Sequence, residues 1–409
     1  MLEMWRRSVR FLLRPKYGAM RQMFAEGKEM KVEDYLPKIA EDLRIDAKKL
    51  QEEYDKKNVQ LVEEYEIPYL RFKRDVKDVQ EGTVAFIDKE IVYARGFPKI
   101  RRAVILESTL KKQMKDRFQV EEKLDGYNVR TIFLNDLVCI TRKGIVCPYT
   151  TKHVKSILGT NQFFKENPEL MLCGEVVGLQ NPYQTKSYPE AKDFGYFVFD
   201  IKDRKSGKSL PSDVKKDMVK KYALPSVKNF GTFTIDDSGV LLDLVRTMGE
   251  DKREGIVIKS LDMSRQIKYT SNQSTNNDLR YAFKFFFDYG QPFMFRRLIR
   301  EAFQAYELGL SKEQLEREAD ELGRSILLPM VETIRAIADG RETTEDFEIA
   351  VPDADFGKAF IAHLQHLGVK ATIEKVSERA GQTVIKVKRH YPSTNDKTKA
   401  YLDGEFCSE

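Results

Sequence analysis

The spacing of apolar residues divides the chain into four stretches. Over residues 32–65, apolar positions such as Tyr35, Leu36, Ile39 and Leu43 recur at intervals of three and four among charged residues, which predicts amphipathic helices. From about Thr83 to Asp288 the texture changes to short runs at 83–87, 118–122, 129–134, 170–177, 196–201, 255–259 and 281–287, separated by turn residues. These read as strands. Strands this short and this widely spread predict an α+β domain built on antiparallel sheets. After Asp288 the helical period returns in Phe295, Leu298, Ile299, Ala302 and Tyr306, and Gly309 stops it. Ser311 and Gln314 have the spacing of a capping box that opens a second helix. Its apolar face runs through Leu315, Ala319, Leu322 and Ile326 to Pro329, with a further turn or two to Ala338. Both faces predict burial against the main domain or against a second copy of the chain. From Glu345 onward the pattern is strand, helix (356–367), strand (369–374) and strand (383–387), a small α/β unit. The expected domains are therefore 1–82, an N-terminal helical and basic lead-in; 83–288, the main domain; 289–340, a helical segment; and 341–409, the α/β unit.

Composition narrows the class. The chain has 409 residues, 41% hydrophobic, with 25 Phe and 18 Tyr, enough to build two or three cores and to exclude a disordered or fibrous chain. No apolar run approaches the roughly 18 residues of a membrane span, so no membrane role is expected. Cys139, Cys147, Cys173 and Cys407 form no C-x-x-C, and His153, His363, His366 and His390 complete no zinc pattern. A reducing cytoplasm follows as the expected compartment. The balance of 70 Lys+Arg against 64 Asp+Glu is compatible with a polyanionic partner but does not require one. The first two dozen residues are basic and partly apolar, with Trp5, Arg6, Arg7, Arg10, Phe11, Leu12, Leu13, Arg14 and Lys16. A transit peptide, an arm on nucleic acid and an extended start ahead of Met20, Met23 or Met30 all fit that stretch.

The familiar phosphate-binding loops are missing. Gly207-Lys208-Ser209 has Lys202 where the first glycine of such a loop would stand, and no G-x-G-x-x-G occurs. What does occur is Glu121-Glu122-Lys123-Leu124-Asp125-Gly126-Tyr127-Asn128-Val129-Arg130, a lysine leaving one strand and an Asp-Gly turn entering the next. A lysine at a strand end beside a tight turn is held in a cleft, where neighbouring positive charge or a metal lowers its pKa. A lysine so activated is a nucleophile. Alone, the pattern fits a β-hairpin with a surface lysine equally well. Five more elements follow in order: Thr141-Arg142-Lys143-Gly144; Cys173-Gly174-Glu175-Val176-Val177-Gly178; Phe197-Val198-Phe199-Asp200; Glu254-Gly255-Ile256-Val257-Ile258-Lys259; and Tyr281-Ala282-Phe283-Lys284-Phe285. The last places one lysine in an otherwise apolar strand, where an unpaired charge is costly.

This ordered set resembles the covalent nucleotidyltransferases, namely ATP-dependent DNA ligases, RNA ligases and mRNA-capping guanylyltransferases. The stretch Tyr93-Ala94-Arg95-Gly96-Phe97-Pro98-Lys99-Ile100 and the helical and α/β tail look most like the archaeal homodimeric ATP-dependent RNA ligases. The resemblance implies an adenylyltransferase domain with ATP-grasp-like antiparallel sheets, a helical dimerisation segment and a homodimer. It implies that Lys123 attacks ATP and carries AMP, that AMP passes to an RNA 5′-phosphate, and that a 3′-hydroxyl then seals the ends, within or between molecules. Mg²⁺ or Mn²⁺ is the implied metal, with Glu254 the carboxylate associated with it. Lys259 and Lys284 are the implied α-phosphate contacts, Glu175 a ribose contact and Phe199 the residue stacking on adenine. Glu121 or Glu122 would hold the base edge, and Arg130 and Arg142 would meet ribose or RNA phosphate.

One departure stands out. Relatives often end the last block in K-x-K, whereas Ala282 and Phe286 flank Lys284 here, so a second cation is unassigned. Lys268 reads either as a solvated lysine or as that second phosphate contact, and Asp125 either as a loop-orienting residue or as one serving the sealing step. The aromatic run from Phe283 to Tyr289 reads as core rather than a base-stacking platform, and His363 and His366 as structural. A DNA ligase or a GTP-dependent capping enzyme is the alternative. Both normally append a β-barrel after the last lysine strand, where this chain turns helical and carries no R-x-D-K.

Overall fold

The computed structural model describes residues 32–63, 67–159 and 162–406. The basic N-terminal stretch and Cys407 lie outside the described residues. After a short 3₁₀ turn at Val32–Asp34, helices α1 (Leu36–Leu43) and α2 (Ala47–Asp55) bury Leu36, Ile39, Leu43 and Leu50. Asp46 caps α2, accepting from the Lys49 N–H at 2.9 Å. Both helices pack on a four-stranded antiparallel sheet of β1 (Val59–Val62), β2 (Tyr69–Phe72), β3 (Val84–Ile87) and β4 (Ile91–Ala94). Strands β1 and β2 fall where the apolar spacing gave no strand.

The middle of the chain runs β5 (Arg101–Arg102), α3 (Leu106–Gln113), β6 (Phe118–Lys123), β7 (Tyr127–Phe133), β8 (Leu137–Thr141), α4 (Pro148–Leu158), α5 (Phe163–Glu166), β9 (Leu170–Val177), β10 (Gly195–Asp203), α6 (Ser212–Lys221), β11 (Asn229–Phe233), α7 (Ser238–Glu250), β12 (Gly255–Ser260) and β13 (Gln266–Thr270). These strands form two sheets, ordered β10-β9-β7-β8 and β11-β6-β12-β13-β5, antiparallel apart from the parallel pair β13–β5. One face of the four-stranded sheet packs on α4 and α5 through Val129, Leu172, Val154 and Phe163, and the other on the N-terminal sheet through Ile132, Met171 and Phe86. The five-stranded sheet buries Phe118, Val120, Ile256, Ile258 and Tyr269 against α3 and α7. This is the α+β architecture of antiparallel sheets that the apolar pattern predicts.

One strand differs from expectation. Residues 281–287 are not a strand: they close α8 (Asn272–Lys284) and the turn after it. The strand that follows β12 is β13, whose sequence Gln266-Ile267-Lys268-Tyr269-Thr270 has too few apolar residues to announce itself. The aromatic run is core, as read from its pattern. Phe285 is fully buried and stacks on Tyr391 with ring centres 3.6 Å apart, and Phe283, Phe286 and Tyr289 pack around Leu279 and Met294.

Helix α9 (Gln291–Glu307) is followed by α10 (Lys312–Ala338), which opens on the expected Ser311–Gln314 capping box. α10 passes through Pro329, which removes one backbone hydrogen bond without ending the helix. Phe295, Phe303 and Tyr306 on α9 and Leu315, Leu327 and Leu328 on α10 are exposed. The C-terminal unit comprises β14 (Thr344–Val351), α11 (Ala354–His366), β15 (Ala371–Arg379), β16 (Gln382–His390) and α12 (Pro392–Leu402), with sheet order β14-β16-β15. Its core of Ile349, Phe360, Ile385 and Val387 includes Cys147 and Tyr149 of the middle domain, so the unit is docked. Among the described residues no helix is long and apolar enough to cross a membrane.

Candidate active site

Lys123 is the last residue of β6, and the chain crosses from one sheet to the other immediately after it. The crossing is tight: a Cβ on Gly126 would lie 2.0 Å from the Val176 carbonyl oxygen of β9, so glycine is required there. Across the ladder Lys123 faces Gly255, the first residue of β12. Gly255 has φ +148° and sits against the Tyr269 backbone, where a Cβ would come within 2.3 Å. Glu254, just before it, is therefore delivered to Lys123, and its carboxylate accepts from Nζ in a close ion pair.

Alternate residues of a strand share a face. With the observed registers, Glu121 and Lys123 of β6, Val257 and Lys259 of β12, and Lys268 of β13 stand on the side of the sheet opposite its apolar core. Lys268 is also paired in register with Arg102 of β5. The open end of this face gathers Lys123, Lys268 and Arg102 with Glu254, Glu175 and Asp125.

The charges there act strongly on one another. Burial disfavours the charge on Lys123, but the carboxylates of Glu254, Glu175 and Asp125 outweigh it and hold the amine above the usual lysine range. This is the reverse of the lowering expected from the sequence, because three acids rather than cations surround the amine. Burial pushes the Glu175 carboxyl up to about 8; Lys123 pulls against that shift, while Glu254 and Asp125 add to it. Burial also raises Glu254. Lys268 is driven down to about 8 by burial and by the nearby charges of Lys123 and Arg102. Asp125 is held from the β9–β10 loop: Lys186 Nζ donates to it at 2.7 Å, Gln184 donates to its other oxygen, and its own N–H donates to Tyr188 Oη at 2.7 Å.

The closed end of the same face differs. Lys259 Nζ donates to Glu121 at 2.7 Å and to the Phe199 carbonyl at 2.6 Å, with Lys259 only 1% and Glu121 2% exposed. Lys215 of α6 donates to the same carboxylate and, at 3.1 Å, to the same carbonyl. Burial opposes the charge on Glu121, but Lys259 and Lys215 hold its carboxyl below the usual range. Lys259 is thus committed to a buried ion pair rather than left free for a phosphate. Beside Glu121 lies a cavity of about 380 Å³ lined by Val198, Lys215, Val227, Asn229 and Phe230. Phe199 is half-buried and edge-on to Phe97, ring centres 5.2 Å apart. Glu122 faces away from this side of the sheet and pairs with Arg253 at 2.5 Å.

Two expected contacts, Arg130 and Lys284, fall elsewhere or are used otherwise. Arg130 is fully buried, and its guanidinium donates to the carbonyls of Ala94, Arg95, Gly82 and Thr141 at 2.7–3.2 Å. Through these bonds of its two Nη groups it joins the N-terminal sheet to the middle domain. Lys284 is exposed at the end of α8, 3.4 Å from the Thr344 carbonyl, because its segment is helical. Arg142 is exposed and reaches toward the Pro98 carbonyl at 3.5 Å; its charge also bears on Lys268, so it stands near the open end. The sequence reading missed Arg102, Lys215, Gln184, Lys186 and Tyr188. Arg102 ends the basic run that begins at Lys99, a signal that could have found it. Lys215 sits in a run of helix-surface lysines that gives none.

The chain is similar to known proteins over nearly its whole length. An RNA ligase family model matches residues 116–285, and a model of the C-terminal region of the ligase Pab1020 matches 281–405. An uncharacterized protein of Methanocaldococcus jannaschii is 37% identical over 387 residues, covering 92% of this chain and 98% of its own. A solved archaeal ATP-dependent RNA ligase superposes with TM-score 0.87 at 38% identity, over 91% of this chain and 99% of that one. A structure from Aquifex aeolicus that carries the name of an ATP-dependent DNA ligase superposes at TM-score 0.82 and 25% identity, over 89% of this chain and 100% of that one. With this identity over nearly its whole length, the chain belongs to the archaeal ATP-dependent RNA ligases.

Proposed function

We propose that the protein is an ATP-dependent RNA ligase that joins a 5′-phosphate to a 3′-hydroxyl by way of AMP carried on Lys123. The observation that carries this reading is the open end of the sheet face, where one lysine at a strand terminus meets Glu254 and has Lys268 and Arg102 beside it. In the first step the neutral Lys123 amine attacks the α-phosphorus of ATP. An N–P bond forms, the bond to the β-phosphate oxygen breaks, pyrophosphate leaves and the amine proton passes to solvent. Then an oxygen of the RNA 5′-phosphate attacks the same phosphorus and Lys123 departs, leaving AMP on the RNA end. Finally the 3′-hydroxyl attacks the RNA 5′-phosphorus and AMP leaves.

The residues fit these demands in distinct ways. Lys268 and Arg102 are fixed cations where negative charge builds on the phosphates, which lowers the barrier without reorganisation during the step. They fill the place of the second cation that the Lys284 block leaves unassigned. Among the described residues no three His, Cys, Asp or Glu side chains form a metal cage. Glu254 would instead hold a Mg²⁺ or Mn²⁺ together with phosphate oxygens and water. Such an ion neutralises phosphate charge. Glu254 is the main support of the Lys123 ammonium, so were its charge taken up by a bound cation, burial and the Lys268 charge would favour the nucleophilic amine. Glu175, whose carboxyl burial pushes up from its usual range, faces a ribose hydroxyl, and Phe199 flanks the base.

The exposed apolar stripe of α9 and α10 supports a homodimer through this helical segment. A monomeric mass by light scattering at micromolar concentration would contradict it. The buried free thiols of Cys139, Cys147 and Cys173 suit a reducing cytoplasm.

The deciding experiment is incubation with α-labelled ATP or GTP and Mg²⁺, followed by a denaturing gel and by addition of 5′-phosphorylated RNA. A covalent band from ATP that is chased into joined RNA is expected. Label from GTP would turn the reading to capping chemistry, joining of DNA but not RNA would favour the DNA ligase reading, and no label from either nucleotide would reject the mechanism.

A further inference from the structure

The loop from Gly178 to Ala191, between β9 and β10, has two sides. On its inner side Gln184, Lys186 and Tyr188 hold Asp125 by three hydrogen bonds. Its middle is pinned by Asn181, which is fully buried: Oδ1 accepts from the N–H groups of Tyr183 and Gln184 at 2.9 and 3.0 Å, and Nδ2 donates to the Val176 carbonyl at 3.1 Å. On its outer side the contacts belong to the C-terminal unit. Arg389 of β16 donates through Nη2 to the Pro182 carbonyl at 2.6 Å, and the Ala350 N–H of β14 donates to the Gln180 side chain at 3.2 Å. Tyr183 and Phe194 join the apolar core of that unit.

Arg389 is itself locked. Its Nη1 donates to Glu345 at 2.7 Å, and the same carboxylate accepts from Tyr281 of α8 at 2.5 Å and from Tyr391 at 3.0 Å. The guanidinium is largely buried, and the carboxylate holds it firmly charged. A buried, charge-assisted bond to a single loop carbonyl is stronger than a neutral one and is directional. A continuous path therefore runs from α8 through Glu345 and Arg389 to Pro182, and from Asn181 and its neighbours to Asp125 beside the lysine.

We propose that Arg389 is a positioning residue for Asp125, so that docking of the C-terminal unit sets the geometry of the carboxylate cluster around Lys123. Energetic coupling through packed side chains and hydrogen bonds of this kind changes a rate by roughly two- to thirtyfold. This inference rests on the lysyl-transfer reading above.

The test uses the full chain with R389M, R389K, D125N and the double variant D125N/R389M. Two rates are measured separately: single-turnover AMP transfer to Lys123, and sealing of RNA that already carries AMP. R389M is expected to slow whichever step D125N slows, by roughly tenfold, with the ATP KM changed less than about twofold. R389K should recover most of that loss, since an ammonium can still reach the Pro182 carbonyl. The double variant should be no slower than D125N alone, because both changes act through one group. Multiplied defects in the double variant, or R389M at wild-type rate, would overturn the proposal. Should R389M fail to fold, E345Q is read by hydrogen exchange over residues 178–191 and at the Asp125 amide. Faster exchange than in the unaltered protein is expected, and equal exchange overturns the proposal. If the unaltered protein takes no label from ATP, the ligase reading fails while the exchange measurement still decides the coupling.

Discussion

Lys123 and Lys259 stand on the same face of one sheet, Lys259 paired with Glu121 of the neighbouring strand and Lys123 with Glu254 just ahead of its neighbour, yet their surroundings differ. Lys259 shares Glu121 with Lys215 and gives a further bond to the Phe199 carbonyl, two cations to one acid with almost no exposure. Lys123 has the opposite ratio, one amine among Glu254, Glu175 and Asp125, at the strand end where the side chain is 20% exposed. The closed trio is satisfied without any ligand. The open cluster holds a surplus of acid in which burial, helped by Glu254 and Asp125, raises Glu175 to about 8, with Lys268 and Arg102 facing it. Excess charge of both signs at a solvent-reachable strand end is what a nucleotide with its cation can complete, whereas a neutralised buried trio is architecture.

Breaking each half in turn should show the contrast, beginning with the largest effect. Lys123→Ala should abolish covalent AMP transfer while circular dichroism and the melting temperature stay near those of the unaltered protein. Label retained in that variant would move the nucleophile to another lysine. Lys268→Ala should slow AMP transfer by about 10²-fold, the scale of one lost charge-stabilising group, measured by rapid quench with labelled ATP. Glu121→Gln, which leaves two buried lysines around a neutral group, should cost about 3–5 kcal/mol of stability in urea unfolding. A cost under about 1 kcal/mol would show that the closed trio is not structural.

Two smaller effects sharpen the picture outside the sheet face. Burial holds the imidazoles of His153 and His363 down to about 4. As pH falls below about 6.5 the unfolded chain binds protons that the folded one refuses, so stability present above that pH is lost progressively toward pH 4. A loss on the order of 1–3 kcal/mol between pH 7 and 5 is expected in thermal melts, and His363→Gln should reduce it. Last, Lys284→Ala should leave AMP transfer within about twofold of the unaltered rate; a larger loss would mean that this exposed lysine reaches the nucleotide after all.

Much of this was legible in the chain because the signals are local. Lys123, Asp125 and Gly126 lie within four residues, Gly255 is flanked by Glu254 and the apolar strand it opens, and the helices after Asp288 announce themselves by period and capping box. The misplaced elements share a cause. Residues 281–287 are aromatic and consecutive, which reads as a strand, but their rings fill the space between α8 and Tyr391. The strand that does deliver a lysine, β13, is polar because one of its faces lines the site. Arg130 has a donor set that looks like a ligand clamp, and only the fold shows its guanidinium spent on four backbone carbonyls.

The sequence by itself determined the family, the α+β class, the candidate lysine and the glycines at which the chain must cross, because each depends on residue types at short, fixed spacings. The tertiary structure decided which lysines stand open among acids and which are closed in a buried trio, that three acids surround one amine, and that Arg389, more than two hundred residues along the chain, reaches the Pro182 carbonyl of the loop that holds Asp125. Charge balance and burial are sums over neighbours brought together from distant parts of the chain, and no local pattern carries those sums.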